Sequence, residues 1–431
     1  EIWMAFRIAQ FVGLKEVKSF NDVIRYIGII AVIFSLYYFV QLDAKALAML
    51  LLIRSALEIA SAAISPMSSG QIFYKKFYLT KHLDEIFFPH FFKSALVIMI
   101  IGLLLISIVS ITSNYIEILD LTLRDYVLIF LWLVSLNISN IFQHYFQMKK
   151  LDFLSGASNG SVANCIVLIL LILSDYFDSI SFSIILSAFS LGWALNALIF
   201  SIVIFSQNSQ NFFLFSKKYN SIDFFLDKNI YYESIIGILQ RKNPFLLWLS
   251  VLFLNSESVS ILGLFFYTAG IFSTPRQAFL FSIRGNCIQA FSSRDQFIDI
   301  FKNFKKNMFL INLFCILLTL LLSFFLFNEA MHEIAPNFAE NFEEIALLLL
   351  IHFFAILILD FYVGFFESIL VLKGSASYFV KIKIIEILLT IVLLTIISLY
   401  SISIYSFVLM NLLTLLFTKL LAKRHFIDLR L

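Results

Sequence analysis

The chain has 431 residues, of which 61% are hydrophobic and only 14% charged, against roughly 45–50% apolar and 25% charged in soluble globular domains. Apolar runs recur so often that no stretch between them can build a separate core, which excludes a soluble enzyme, a nucleic-acid module and a disulfide-stapled secreted domain. Runs near twenty residues, rather than alternating strands of about ten, also exclude an outer-membrane barrel and leave an all-α, polytopic membrane protein.

A span needs about 20 mainly apolar residues to cross a hydrocarbon core of about 30 Å. Twelve such segments are predicted in chain order, near 24–42, 45–65, 94–113, 126–146, 161–174, 182–206, 243–256, 259–283, 308–328, 344–372, 380–400 and 402–421. The fifth and seventh are the shortest. Before the first run stand Arg7, Lys15, Lys18 and Arg25 rather than a cleavable signal, so the first helix is expected to be a genuine span. Cysteines number three, and Cys165 and Cys315 fall inside apolar runs, so they read as packing residues rather than as a disulfide framework or metal ligands.

Orientation follows from Lys and Arg, which are in excess in cytoplasmic loops. With the amino terminus inside, 27 of the 31 basic residues fall in inward segments, including Arg241, Lys242, Lys383 and Lys419. Only Lys45 and Arg124 fall outside, among acids such as Asp43, Asp120, Asp175, Glu257 and Glu340. An odd error in the span count would break this alternation, so twelve spans with both termini cytoplasmic are expected. The net charge of +3 therefore hides a separation of sign across the membrane and implies no nucleic-acid partner.

The predicted organisation is a cytoplasmic segment 1–23, a six-helix lobe 24–206, a cytoplasmic linker 207–242, a second six-helix lobe 243–421 and a tail 422–431. Each half carries a long inward loop between its second and third spans and an arginine on its second span, Arg54 and Arg276. Such correspondence between halves that both start inside implies parallel repeats about an axis along the membrane normal. No G-x-x-x-x-G-K-[ST] run for nucleotide phosphates is present, so ATP-driven pumping within this chain is not expected.

Charge inside a bilayer costs roughly 2.5–3.5 kcal/mol on insertion scales, so each buried ionisable residue is a site candidate. Arg54 and Glu58, one turn apart on the second span, either neutralise each other or line a cavity where Arg54 offers a bidentate fork to phosphate. The fourth span ends with Asn140, Gln143, His144 and Gln147 at i, i+3, i+4 and i+7, a polar face suited to helix packing or to sugar hydroxyls. Arg276 follows Pro275 and has no acid three or four residues away. It either snorkels to the inner interface or meets a partner on another helix, in water or on a ligand. Asp360 and Glu367, seven apart on the tenth span, read as a cation or proton relay or as counter-charges to the arginines. Glu367 and Glu386 lie near helix ends, where Lys373, Lys381 or Lys383 can pair with them at the interface.

The layout resembles the multidrug/oligosaccharidyl-lipid/polysaccharide (MOP) exporter superfamily, and most of all its Wzx-type polysaccharide flippases. The stretches that carry the resemblance are 257–276 (ESVSILGLFFYTAGIFSTPR), 142–161 (FQHYFQMKKLDFLSGASNGS) and 335–375, which begins APNFAENF and ends ILVLKGS. The resemblance implies a twelve-helix, two-lobed, MATE-like transporter of the bacterial cytoplasmic membrane that works by alternating access and is not an enzyme. Its expected substrate is an undecaprenyl-pyrophosphate-linked oligosaccharide, an O-antigen or capsule repeat unit. Relatives carry cavity arginines on the second and eighth helices, where Arg54 and Arg276 stand here. They also commonly carry charge on the first or seventh helix, where this chain is expected to bury none.

In this reading Arg54 and Arg276 hold the pyrophosphate, and Asn140, Gln143 and His144 face the glycan. Asp360, with Glu58 and Glu367, couples the rearrangement to H+, Na+ or the membrane potential. Membrane lipids and the polysaccharide polymerase machinery are the implied partners, with no metal and no other cofactor. The alternatives are a cation-coupled multidrug exporter, a glycan polymerase or a non-transporting assembly partner.

Overall fold

The computed structural model describes residues 17–68, 83–113, 118–149, 151–177, 180–207, 228–273, 294–326, 336–362, 376–398 and 403–428. These residues are almost entirely helical, with no strand among them. A bilayer offers no water to unpaired backbone groups, and a helix satisfies its own. Seven helical stretches among the described residues are long and apolar enough to cross a membrane, namely Ala44–Ile64, Phe91–Ser113, Leu123–Phe146, Phe153–Phe177, Phe182–Ser206, Glu344–Phe361 and Ile404–His425. Two shorter apolar helical stretches, Ile27–Phe39 and Ser256–Ile271, add to these.

The chain divides into two compact units. Unit 1 comprises Glu1–Phe39, Ala60–Tyr115 and Asp120–Ser234, and unit 2 comprises Val40–Ile59, Ile116–Leu119 and Ile235–Leu431. In unit 1 the described helices are α1 (Val17–Phe39), α3 (Leu83–Ser113), α4 (Leu123–Met148), α5 (Asp152–Gly156), α6 (Val162–Phe177) and α7 (Phe182–Gln207). Helix α2 (Ala44–Ser68) gives its first two-thirds to unit 2 and its end to unit 1. In unit 2 follow α8 (Lys228–Leu239, whose start belongs to unit 1), α9 (Lys242–Ser250), α10 (Ser256–Phe272), α11 (Arg294–Leu326), α12 (Pro336–Tyr362), α13 (Ala376–Ser398) and α14 (Ile404–Asp428).

Within unit 1, α7 packs on α4 and α6, and α1 on α6. Within unit 2, α11 packs on α12 and α13 on α14, while α12 and α14 also touch α10. The lipid-type stripe is plain on α3, where Leu96, Ile100, Leu103, Leu104, Ile108 and Ile111 are exposed at spacings of one, three and four. Polar side chains turn the other way: Asn137, Ser139, Ser158, Ser190, Asn196, Asn312 and Thr414 are fully buried. This inversion follows from the solvent, since lipid gives apolar groups no reason to hide and polar groups every reason to pair.

Two local breaks place the residues that matter next. Between α5 and α6 the chain runs through one π-type turn, Ala157–Ser161, in which Gly160 adopts φ +90°. A Cβ on Gly160 would come within 2.6 Å of the Trp193 ring, so this turn combines a left-handed backbone with a close approach. Between α8 and α9 the helix stops at Gln240–Arg241 and restarts at Lys242. Pro244 explains it: proline cannot donate to the carbonyl four residues back, and its ring collides with that carbonyl, but the first turn of a new helix tolerates both.

The expected seventh span at 243–256 begins within one residue of α9, but it left Lys242 to the linker and no buried charge on this helix. Lys242 instead opens a helix, with a side chain only 10% exposed. Lys383 and Lys419, also counted as inward segments, are buried on α13 and α14. All three carry ion pairs rather than loop charge, because Glu386 and Asp360 sit beside them.

Candidate functional site

Among its described residues, unit 2 contains three charged clusters, two of them buried. The half-exposed one is built on α2. Arg54 Nε donates to Glu58 Oε1 at 3.3 Å, one helical turn on. The guanidinium lies over the Tyr267 ring of α10, 3.7 Å from its centroid, in cation–π geometry. Arg241, at the break before α9, reaches the other oxygen of Glu58 at 4.0 Å. Two guanidiniums thus meet one carboxylate, and side-chain exposures of 28% for Arg54, 39% for Glu58 and 49% for Arg241 leave all three within reach of a ligand. Close packing of α10 on α2 makes the ring contact possible: a Cβ on Gly263 would fall 2.7 Å from a Leu51 methyl.

The second cluster joins α9, α13 and α14. Glu386, 2% exposed, accepts from Lys383 at 2.8 Å through one oxygen and from Lys242 at 2.9 Å through the other. Lys242 Nζ also donates to the Asn411 carbonyl at 3.2 Å and to the Thr414 hydroxyl. Asn411 in turn donates from Nδ2 to Asn243 Oδ1 at 3.1 Å. The third cluster joins α11, α12 and α14: Asp360, 1% exposed, accepts from Lys419 at 2.7 Å and from Asn312 Nδ2 at 3.2 Å. Each carboxylate takes at least two charge-assisted or amide hydrogen bonds, the condition under which a buried ion is tolerated.

The amide face of α4 lies in unit 1. Asn140, Gln143 and His144 are half-buried there on one side of the helix. Deeper on α4, Asn137 donates to Ser61 Oγ at 3.1 Å, and Ser139 Oγ accepts from Asn196 of α7 at 2.9 Å. Asn196 also donates at 3.3 Å to the Ser158 carbonyl in the π-type turn.

The predicted residues therefore fall into two sets, Arg54, Glu58 and Asp360 in unit 2 and Asn140, Gln143 and His144 in unit 1. Arg54 and Glu58 meet, whereas Asp360 is engaged by Lys419 and Asn312. Arg276, Glu367 and Lys373 lie outside the described residues. Sequence reasoning missed Lys242 and Lys419 as interior charges, Arg241 as a second partner of Glu58 and Tyr267 as a platform for Arg54. It also treated Glu386 as an interfacial group. The usable signals were Pro244 two residues after Lys242, Glu386 three after Lys383 in an apolar run, and Asn411, Thr414 and Thr418 at i, i+3 and i+7 ahead of Lys419.

No family model and no curated protein matches the sequence, but solved structures do. An inward-facing multidrug resistance MATE family transporter of the MOP superfamily aligns with TM-score 0.57 and 13% identity, covering 96% of this chain and 95% of that one. A MOP superfamily transporter from Pyrococcus furiosus, described as having a binding pocket of reverse polarity that suggests a different function, aligns with TM-score 0.56 and 11% identity over 95% of each chain. An outward-facing MATE family transporter of the same superfamily aligns with TM-score 0.52 and 12% identity over 96% of this chain and 88% of that one. At such identities the likeness speaks for architecture: this all-α, multi-spanning membrane protein has the fold of MOP superfamily transporters.

Proposed function

We propose that this protein is an alternating-access flippase. It moves an anionic, undecaprenyl-pyrophosphate-linked oligosaccharide from the inner to the outer leaflet of a bacterial cytoplasmic membrane. The observation that carries the reading is the Arg54–Glu58–Arg241 group, two guanidiniums on one carboxylate, all partly exposed, with Arg54 and Glu58 on α2 and Arg241 at the break before α9. Such an arrangement favours a phosphate, which accepts bidentate hydrogen bonds from guanidinium forks, over an organic cation, which the arginines repel. That the fold occurs with inward-facing and outward-facing forms, and with a pocket of reversed polarity in one neighbour, supports both the mechanism and the departure from a cation exporter.

The roles follow from charge and position. Arg54, stacked on Tyr267 and thereby held in one orientation, takes the pyrophosphate together with Arg241 and Arg276. Glu58 offsets the mutual repulsion of the two described guanidiniums until the phosphate replaces it as their partner. Asn140, Gln143 and His144 face the glycan, and the polyprenyl tail stays in lipid. Asp360 and Glu367 belong to the energy coupling, with H+, Na+ or the membrane potential as its source. No bond is made or broken, so the chain is not an enzyme. Polysaccharide polymerase machinery is the partner that would consume the product.

The test is translocation of a labelled polyprenyl-pyrophosphate glycan in proteoliposomes, comparing the parent with Arg54→Ala, Arg241→Ala and Arg276→Ala. A charge-assisted hydrogen bond contributes about 1.5–3 kcal/mol, so each folded variant should lose about tenfold or more in rate. Undiminished translocation would sink the clamp, and a parent that extrudes cationic dyes but moves no glycan-lipid would replace the reading with multidrug export.

A further inference from the structure

An ammonium has three N–H donors and no acceptor. For Lys242 all three find oxygens: Glu386 Oε1 at 2.9 Å, the Asn411 carbonyl at 3.2 Å and the Thr414 hydroxyl. That hydroxyl donates its own proton back to its helix, to the Met410 carbonyl at 2.9 Å, so a lone pair is what it turns toward Lys242. A carboxylate oxygen, a backbone carbonyl and a hydroxyl oxygen, drawn from α13 and α14, therefore converge on the positive charge carried in from α9, while the other oxygen of Glu386 holds Lys383 at 2.8 Å. These hard oxygen donors are also the ones that alkali cations take when they shed water. The cage is built rather than accidental. Its members are buried or nearly so, with Thr414 fully enclosed, Glu386 2% and Asn411 7% exposed, and Asn411 is itself fixed by Asn243.

We propose that this cage is a monovalent-cation site whose ion is supplied covalently by Lys242, a tethered cation. The interior of unit 2 then needs no free alkali ion to hold α9, α13 and α14 together. On the transporter reading above, this removes Na+ bound at this place from the possible coupling ions. The prediction itself concerns binding alone and stands or falls independently of what is transported.

Thermal unfolding of the full chain in nanodiscs, at constant ionic strength and with no substrate, tests it. The parent should show the same Tm in sodium, potassium, methylammonium and choline chlorides. Lys242→Ala should have a lower Tm in choline, whose head is too bulky for the cage. That Tm should rise with concentration when choline is exchanged for methylammonium or a small alkali ion. Adding Thr414→Val should abolish the rise. A parent selectively stabilised by sodium or potassium overturns the proposal, as does a Lys242→Ala protein that responds equally to all four salts. If Lys242→Ala is recovered folded in none of the salts, Lys242→Ser, which leaves room for an ion beside a hydroxyl, takes its place. Failure of Lys242→Ser to gain a selective cation response also overturns the proposal.

Discussion

The interiors of the two units solve one problem in different ways. Among the described residues, the interior polar contacts of unit 1 are mostly neutral, Asn137 to Ser61, Asn196 to Ser139 and to the Ser158 carbonyl, and Ser190 to the Leu128 carbonyl, and the buried carboxylate of Asp125 is held by the neutral donors Thr122 and Ser183. In unit 2 they are ionic, with Glu386 between Lys242 and Lys383, Asp360 on Lys419, and Glu58 between Arg54 and Arg241. Neutral pairs in a membrane contribute little each, about 0.6 kcal/mol on average, because an unfolded helix in lipid finds substitutes. Ion pairs contribute little net stability when complete, yet losing one partner strands a charge and costs about 3–5 kcal/mol. Hence unit 1 should tolerate piecemeal change, and unit 2 should be sensitive to which partner is lost.

The sharpest way to break that contrast is Glu386→Ala, which leaves Lys242 and Lys383 facing each other in a buried place. A loss of about 3–5 kcal/mol is expected, read as a large fall in Tm or as failure to recover folded protein. Replacing Glu386, Lys242 and Lys383 together by methionine should restore much of it, since no charge is then left inside. A parent-like Tm for Glu386→Ala alone would mean that the cluster is open to water.

Somewhat smaller is the effect of Lys419→Met, expected at about 3 kcal/mol because Asp360 keeps one amide donor from Asn312. Adding Asp360→Asn should recover most of the loss, and a double-mutant cycle on Tm measures the coupling. Additive losses would show that the 2.7 Å contact carries no coupling. Smallest of all, Asn196→Ala in unit 1 should cost about 0.6 kcal/mol, a shift of only a degree or two. A drop as large as that of Lys419→Met would erase the distinction between the two interiors.

Membership of the fold class was legible because it rests on local properties. Run length and hydropathy place α2, α4 and α7 within three residues of their predicted spans, while α12 and α14 overlap theirs with ends displaced by up to ten residues. The Arg54–Glu58 bridge was legible for the same reason, since residues four apart share a helix face. The burial of Lys242 was not, because a lysine two residues before a proline, at the edge of a span, reads as loop charge until its partner is known. Likewise Glu386, three residues from Lys383, looked like half of an interfacial pair, and its second lysine lies 144 residues away.

By itself, then, the sequence determined that this chain is an all-α membrane protein and which charges needed an explanation. Both follow from the cost of putting any residue into lipid, a cost paid residue by residue. Only the tertiary structure decided which charges answer one another: Lys419 for Asp360, 59 residues apart, Lys242 for Glu386, and Tyr267 beneath Arg54. Coulomb attraction and hydrogen bonding act over a few ångströms, so partners distant in sequence are chosen by the packing of helices and leave no periodic trace along the chain.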